Sequence, residues 1–125
     1  MCSDKVQFLS PTQVIDKFND AWNAADLDGV LAMITADCVF ENTSPPPDGA
    51  TYVGKTEIAA AWAPVLATPG MHFEAEEVFA AGDRVVIRWI YHWVNSDGSA
   101  GHIRGVDVMT VRDGLVAEKL SYVKG

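Results

Sequence analysis

The residue in this sequence best suited to chemistry is Asp107. It stands in the run Gly105-Val106-Asp107-Val108-Met109, where folding has no use for a charge. A carboxylate in such surroundings loses hydration, which favours its protonated form unless a partner holds the charge. A group of that kind can give or take a proton near neutral pH. The competing reading is an Asp on the solvated face of a strand. His92, set among Trp89, Ile90, Tyr91 and Trp93, is the natural partner. An imidazole there needs a hydrogen bond, and a His–Asp pair would fix its tautomer and share a proton. A structural histidine satisfied by its neighbours is the alternative. His72 and His102 fall near strand starts and read as surface residues.

Other chemistries find little support. No His/Cys/Glu spacing resembles a zinc site. Gly98 to Gly105 lacks the Lys-Ser/Thr of a phosphate loop, and no Ser or Cys has a nucleophile-elbow context. The expectation is a site with no metal and no cofactor. Asn42, just before the prolines, offers an amide that could face a ligand or simply satisfy the loop backbone.

The elements that must position these residues are legible in outline. Ser10 can cap a helix with Pro11 at its first position, and Val14, Ile15, Phe18, Ala21 and Trp22 follow at helical spacing. Asp26 can cap a second short helix carrying Val30, Leu31, Met33 and Ile34. Cys38–Asn42 reads as a short strand. The three prolines of Thr43-Ser44-Pro45-Pro46-Pro47-Asp48-Gly49 force a loop. A helix follows from near Thr56 to about Leu66, with Ile58, Trp62 and Leu66 on one stripe, and Pro69-Gly70 ends that region. Strands are expected at about 71–80, 84–95, 102–112 and 115–123, divided by Gly82-Asp83, Ser96-Asp97-Gly98 and Asp113-Gly114. Helices first and a meander afterwards predict an α+β domain with an antiparallel sheet.

The 125 residues suit one domain, 1–125, and 49% hydrophobic residues supply a core. With 17 acidic against 9 basic residues the formal charge is −8. That sign repels nucleic-acid phosphates and anionic membranes, so neither is an expected partner. No apolar run approaches a membrane span, no export signal is visible in Met1 to Ser10, and Cys2 and Cys38 do not make a disulfide framework. Cys2 reads as a loose thiol and Cys38 as a core residue. The expected location is the cytoplasm.

Alternation splits the strands into faces. Arg88, Ile90 and His92 share one, and Trp89, Tyr91 and Trp93 the other. Gly105, Asp107, Met109 and Val111 share a face, as do Lys119 and Ser121. The sequence alone does not say which is concave.

The order α-α-β-α-β-β-β-β resembles the nuclear transport factor 2-like superfamily. So do Ala25-Asp26-Leu27-Asp28-Gly29, Phe40-Glu41-Asn42, Tyr52-Val53-Gly54-Lys55, Gly105-Val106-Asp107-Val108-Met109 and Arg112-Asp113-Gly114. The superfamily includes ketosteroid isomerases, limonene epoxide hydrolases and SnoaL-type polyketide cyclases, and the SnoaL-like group is the best fit. The resemblance implies a cone-shaped α+β barrel: a strongly bent mixed or antiparallel sheet wrapped over N-terminal helices, with a pocket for a small apolar molecule.

An Asp in the same setting points into the isomerase pocket, which implies that Asp107 faces inward. The epoxide hydrolases place His92 inward too and give Asn42 a water-orienting role. The implied catalytic set is Asp107, His92 and Asn42. The implied pocket is Phe18, Trp22, Met33, Phe40, Trp62, Arg88, Ile90, Met109, Lys119 and Ser121. Trp89, Tyr91 and Trp93 would then lie on the convex face, buried in a homodimer. The alternative is that they are ordinary core and the faces are reversed.

The departures matter as well. Phe18 stands where the isomerases have a tyrosine, and Asn42 where they have the catalytic Asp. Ile90, His92 and Ser121 stand at the epoxide hydrolases' Arg and Asp positions. The expected function is a cofactor-free isomerase, cyclase or lyase moving a proton with Asp107 and His92. A non-catalytic binding or dimeric association module is the first alternative, and a hydrolase with a rearranged site the second.

Overall fold

A computed structural model describes residues 8–124. The capping signals act as the sequence suggests. Ser10 Oγ accepts from the Gln13 backbone N–H while Gln13 Oε1 accepts from the Ser10 backbone N–H, and Pro11 opens α1 (Pro11–Asn23). Val14, Ile15, Phe18 and Trp22 form its buried stripe. Asp26 accepts from the Gly29 backbone and starts α2 (Leu27–Leu31). β1 (Ile34–Glu41) begins earlier than the apolar pattern implies. β2 (Thr51–Val53) was not expected: it pairs antiparallel with β1 and brings the proline loop back across the sheet edge. α3 (Lys55–Leu66) buries Ile58, Trp62 and Leu66.

The remaining strands are β3 (His72–Ala81), β4 (Arg84–Val94), β5 (Ala100–Arg112) and β6 (Leu115–Val123). With β1 and β2 they form one six-stranded sheet in the order β2-β1-β6-β5-β4-β3. Only β1 and β6 run parallel, so the sheet is mixed. Register shifts at Ile34/Val39, Ala75/Glu77 and Thr110/Val111 mark irregularities of the kind that bend a strand. α1 lies against β3, β4 and β6, and α3 against β1 and β2. The architecture is the expected α+β cone, with its core between helices and inner sheet face. Val85, Ile87, Met109 and Val116 supply the sheet side of that core, and Phe18, Val30, Ile58 and Trp62 the helical side.

Register decides the faces. Asp107 pairs with Ile87, Gly105 with Trp89, Ile103 with Tyr91 and Gly101 with Trp93. Directly paired residues share a face. Asp107 therefore points the same way as Trp89, Tyr91 and Trp93, and away from Arg88, Ile90 and His92. The expected outward aromatic stripe is a correction: those three side chains belong to the inner face, and the dimer contact imagined for them has no basis. Of the two cysteines, Cys38 is buried on β1; Cys2 lies outside the described residues.

Candidate functional site

The inner face opens between the end of α1, the start of the proline loop and the far ends of β4, β5 and β6. Here lies a cavity of about 310 Å³ walled by Trp22, Phe40, Val65, Phe73, Trp89, Tyr91, Trp93 and Ile103. Asn42, Thr43 and Ser44 from the loop line it, as do Lys119, Ser121 and Val123 from β6. This volume is at the small end for ligand sites.

The aromatic wall has a structural cause on β5. The rings of Trp89 and Trp93 lie over their cross-strand partners Gly105 and Gly101, where a Cβ would overlap the indoles. Phe73 meets Trp89 at 5.4 Å between ring centroids, and Tyr91 meets Trp93 at 5.6 Å. Asn23, the last residue of α1, pins this wall. Its Nδ2 donates to the Phe73 carbonyl at 2.9 Å, and its Oδ1 accepts from the Phe73 backbone at 2.8 Å.

At the base of the cavity stands Lys119, 8% exposed. Its Nζ is 3.1 Å from Asp107 Oδ2 and donates to Ser121 Oγ at 3.0 Å. It also lies 5.1 Å from the Phe40 ring centre and 5.5 Å from that of Trp22, two faces that favour a cation. Register builds this cluster: Asp107 pairs with Ser121, and Met109 and Phe40 both pair with Lys119. Asp107 is 1% exposed, and neither of its oxygens has a well-aligned hydrogen-bond donor among the described residues. The ammonium thus separates the carboxylate from the cavity. A ligand entering from the mouth meets Lys119 and Ser121 before Asp107.

The sequence-derived set divides cleanly. Trp22, Phe40, Asn42, Lys119 and Ser121 line the cavity, with Asp107 directly behind. Phe18 and Trp62 are core residues one layer deeper: Trp62 packs on Phe18, Trp22 and Phe40 at 5.3–5.7 Å. Met33 and Met109 are likewise core, not cavity wall. Asn42 Oδ1 accepts from the Thr43 backbone at 2.7 Å, so that half of its amide serves the loop.

Three residues are corrections. His92 sits on the outer face, its Nε2 3.0 Å from Glu74 Oε1, with His72 and His102 on either side at 6.0 and 6.3 Å. Arg88 is exposed there and contacts Glu77 at 3.3 Å. Ile90 is buried, but on that same outer face, between its cross-strand partners Glu74 and Arg104. The expected His92–Asp107 pair cannot form, because the sheet lies between the two side chains. Sequence reasoning missed Phe73, Trp89, Tyr91, Trp93 and Ile103 as cavity residues. Among the described residues no group of three His, Cys, Asp or Glu side chains is placed to hold a metal ion, and no helix is long and apolar enough to cross a membrane.

Against known proteins, the family model described as the SnoaL-like domain matches residues 15–119. No curated protein matches significantly. Among solved structures, an NTF2-like protein of unknown function from Mesorhizobium loti is 39% identical, with 92% of this chain and 91% of that one covered and a TM-score of 0.78. A Mycobacterium tuberculosis protein in complex with estradiol-17β-hemisuccinate is 24% identical, covering 91% and 94% of the two chains, with a TM-score of 0.77. TerC, co-crystallised with polyporic acid, is 22% identical over 92% of each chain, with a TM-score of 0.78.

Proposed function

Given that the chain belongs to the SnoaL-like domain family, we propose that it binds a small, mostly apolar ring compound carrying one acidic or carbonyl oxygen, and that Lys119 holds that oxygen. One observation carries this reading: an aromatic cavity of about 310 Å³ has an ammonium at its base, backed by a carboxylate. Flat apolar walls suit rings. A single cation in that low-dielectric floor rewards one oxygen and penalises a purely apolar guest that leaves it unsolvated. Two neighbours of the same fold hold ring compounds with acid groups, estradiol-17β-hemisuccinate and polyporic acid, which supports the ligand class.

The chemistry that fits is cofactor-free proton transfer of isomerase, cyclase or lyase type. The proton-bearing group is the Lys119–Asp107 couple, with Asp107 acting through Lys119 and His92 playing no part. Ser121 can accept and return a proton beside Nζ. A second reading, binding without turnover, is favoured by the sealing of both Asp107 oxygens. Association through the sheet remains part of this proposal only on the outer face, where Val86, Val106, Val108 and Leu120 are half-buried.

The test is tryptophan fluorescence quenching by 2-naphthoate and by neutral 2-methylnaphthalene. Wild type should prefer the carboxylate by about tenfold or more, the scale of one charge-assisted hydrogen bond. The charge-neutral double variant Asp107→Asn/Lys119→Met should lose the preference while still binding the hydrocarbon. A wild type that binds neither probe, or a double variant that keeps the preference, overturns the reading.

A further inference from the structure

From the placement of Lys119 we infer a covalent capacity: its amine condenses with the carbonyl of an aldehyde or ketone held in the cavity, forming an imine. This rests on the pocket reading above and narrows its substrate class to carbonyl compounds on an apolar ring skeleton.

Three observations converge. First, Lys119 is the buried lysine of the described chain; Lys17, Lys55 and Lys124 are exposed. Second, its Nζ fronts the cavity while Asp107 Oδ2 lies 3.1 Å behind it, so a proton acceptor faces the amine on the side away from the ligand. Third, Ser121 Oγ is 3.0 Å from Nζ and also lines the cavity, where it can relay a proton between nitrogen and a substrate oxygen. A buried ion pair contributes little to stability compared with well-packed apolar residues. An amine, an acceptor and a hydroxyl together in a dry aromatic site make a device for activating the amine.

The steps balance. The Lys119 ammonium gives a proton to Asp107, leaving a free amine and a carboxylic acid. The nitrogen lone pair attacks the carbonyl carbon, the C=O π pair moves to oxygen, and one N–H proton passes to that oxygen through Ser121, giving a carbinolamine. Asp107 then returns its proton to the nitrogen, which passes one to the hydroxyl through Ser121; the C–O bond breaks as the nitrogen lone pair forms C=N, and water leaves. Ammonium and carbonyl have become iminium and water, with no change of oxidation state. The positive charge stays on nitrogen, so Asp107 keeps its counter-ion and Trp22 and Phe40 keep their cation. The iminium acidifies the adjacent C–H bond, which is the activation that isomerase, cyclase and lyase reactions of ketones require.

The test uses 2-naphthaldehyde with sodium cyanoborohydride on the full chain, read by intact mass and peptide mapping. The expected result is a single naphthylmethyl group on Lys119, formed well ahead of any adduct on Lys17, Lys55 or Lys124. Asp107→Asn should slow trapping about a hundredfold, the scale of a lost proton acceptor. It should also make the rate climb with pH, because hydroxide must then take the proton; a purely structural Asp107 would leave that pH profile unchanged. Adducts confined to the exposed lysines, in a protein that still prefers 2-naphthoate, overturn the imine and leave the pocket reading standing. Loss of both trapping and 2-naphthoate binding overturns both.

Discussion

Lys119 Nζ lies 3.1 Å from Asp107 Oδ2 in a place where both side chains are almost wholly withdrawn from water. Either charge alone in that position would be costly, because removing one partner strands the other without solvent. Asp107→Leu and Lys119→Met should therefore each cost about 3 kcal/mol. The double variant Asp107→Leu/Lys119→Met should cost less than either single change, because it removes the charges together and fills the space with apolar atoms. Urea unfolding of the four proteins closes the cycle. Additive costs would mean that the two groups do not sense each other.

The aromatic wall depends on glycines in β5. At Gly105 a Cβ would overlap the Tyr122 carbonyl oxygen as well as the Trp89 ring. Backbone cannot step aside, so Gly105→Ala should cost about 2 kcal/mol through overpacking. At Gly101 the three nearest atoms to the added one all belong to the half-buried Trp93 ring, which can swing outward at the loss of one exposed hydrogen bond from its Nε1 to Asn95 Oδ1. Gly101→Ala should cost under about 1 kcal/mol, within the range of tolerated repacking, while changing the cavity mouth and hence 2-naphthoate affinity. Thermal melts and the fluorescence titration separate the two effects. Equal destabilisation at both positions would show that Trp93 is as fixed as Trp89.

Why the fold was legible and the face was not follows from particular residues. Ser10, Asp26 and the glycine turns announce themselves by local chemistry, so the helices and the four-strand meander could be placed from the chain alone. The inward direction of Asp107 came from family likeness and agrees with its burial. Its partner was wrong because His92 was placed inward by the likeness to the epoxide hydrolases and not by the turn between the two strands. The Ser96-Asp97-Gly98 turn centres on position 97, and reflecting 107 about 97 gives 87; the observed partner is Ile87. The other two turns do not give their partners this way: Gly82-Asp83 sets Ala81 opposite Arg84 and Asp113-Gly114 sets Arg112 opposite Leu115, but the register shifts at Ala75/Glu77 and Thr110/Val111 move the pairing by one residue to His72 with His92 and Asp107 with Ser121. A one-residue difference flips every side chain to the other face, which is how His92 exchanged places with Trp89, Tyr91 and Trp93. β2 could not be found this way, since three residues with one half-buried side chain carry no periodic signal.

Asn23 joins the last turn of α1 to the first residues of β3 through a pair of hydrogen bonds with the Phe73 backbone. The site is exposed, so water replaces much of what is lost, and Asn23→Ala should cost about 1 kcal/mol. The local effect should exceed the global one. The Phe73 amide loses its acceptor and should exchange with solvent faster by about fivefold, the factor matching that energy. Hydrogen exchange read by NMR would show it; a Phe73 amide unchanged in the variant would mean that the sheet alone holds this end of β3.

Cys38 supplies a pH test of the core. Burial, reinforced by the negative charge of neighbouring Asp37, pushes its thiol up to about 11 from the ordinary 9.0. Below pH 9 both folded and unfolded chains keep the proton, and the group contributes nothing to pH dependence. Between 9 and 11 the unfolded chain releases the proton while the folded one retains it, so stability falls as pH rises. Against a Cys38→Val reference, which fills the same space without a titrating group, wild type should lose about 2–3 kcal/mol across that window. Chemical denaturation of both proteins at intervals from pH 8 to about 11 measures the difference directly. A flat difference would mean that the thiolate is as well accommodated inside the sheet as in water, and that this part of β1 is wetter than the burial of Cys38 implies.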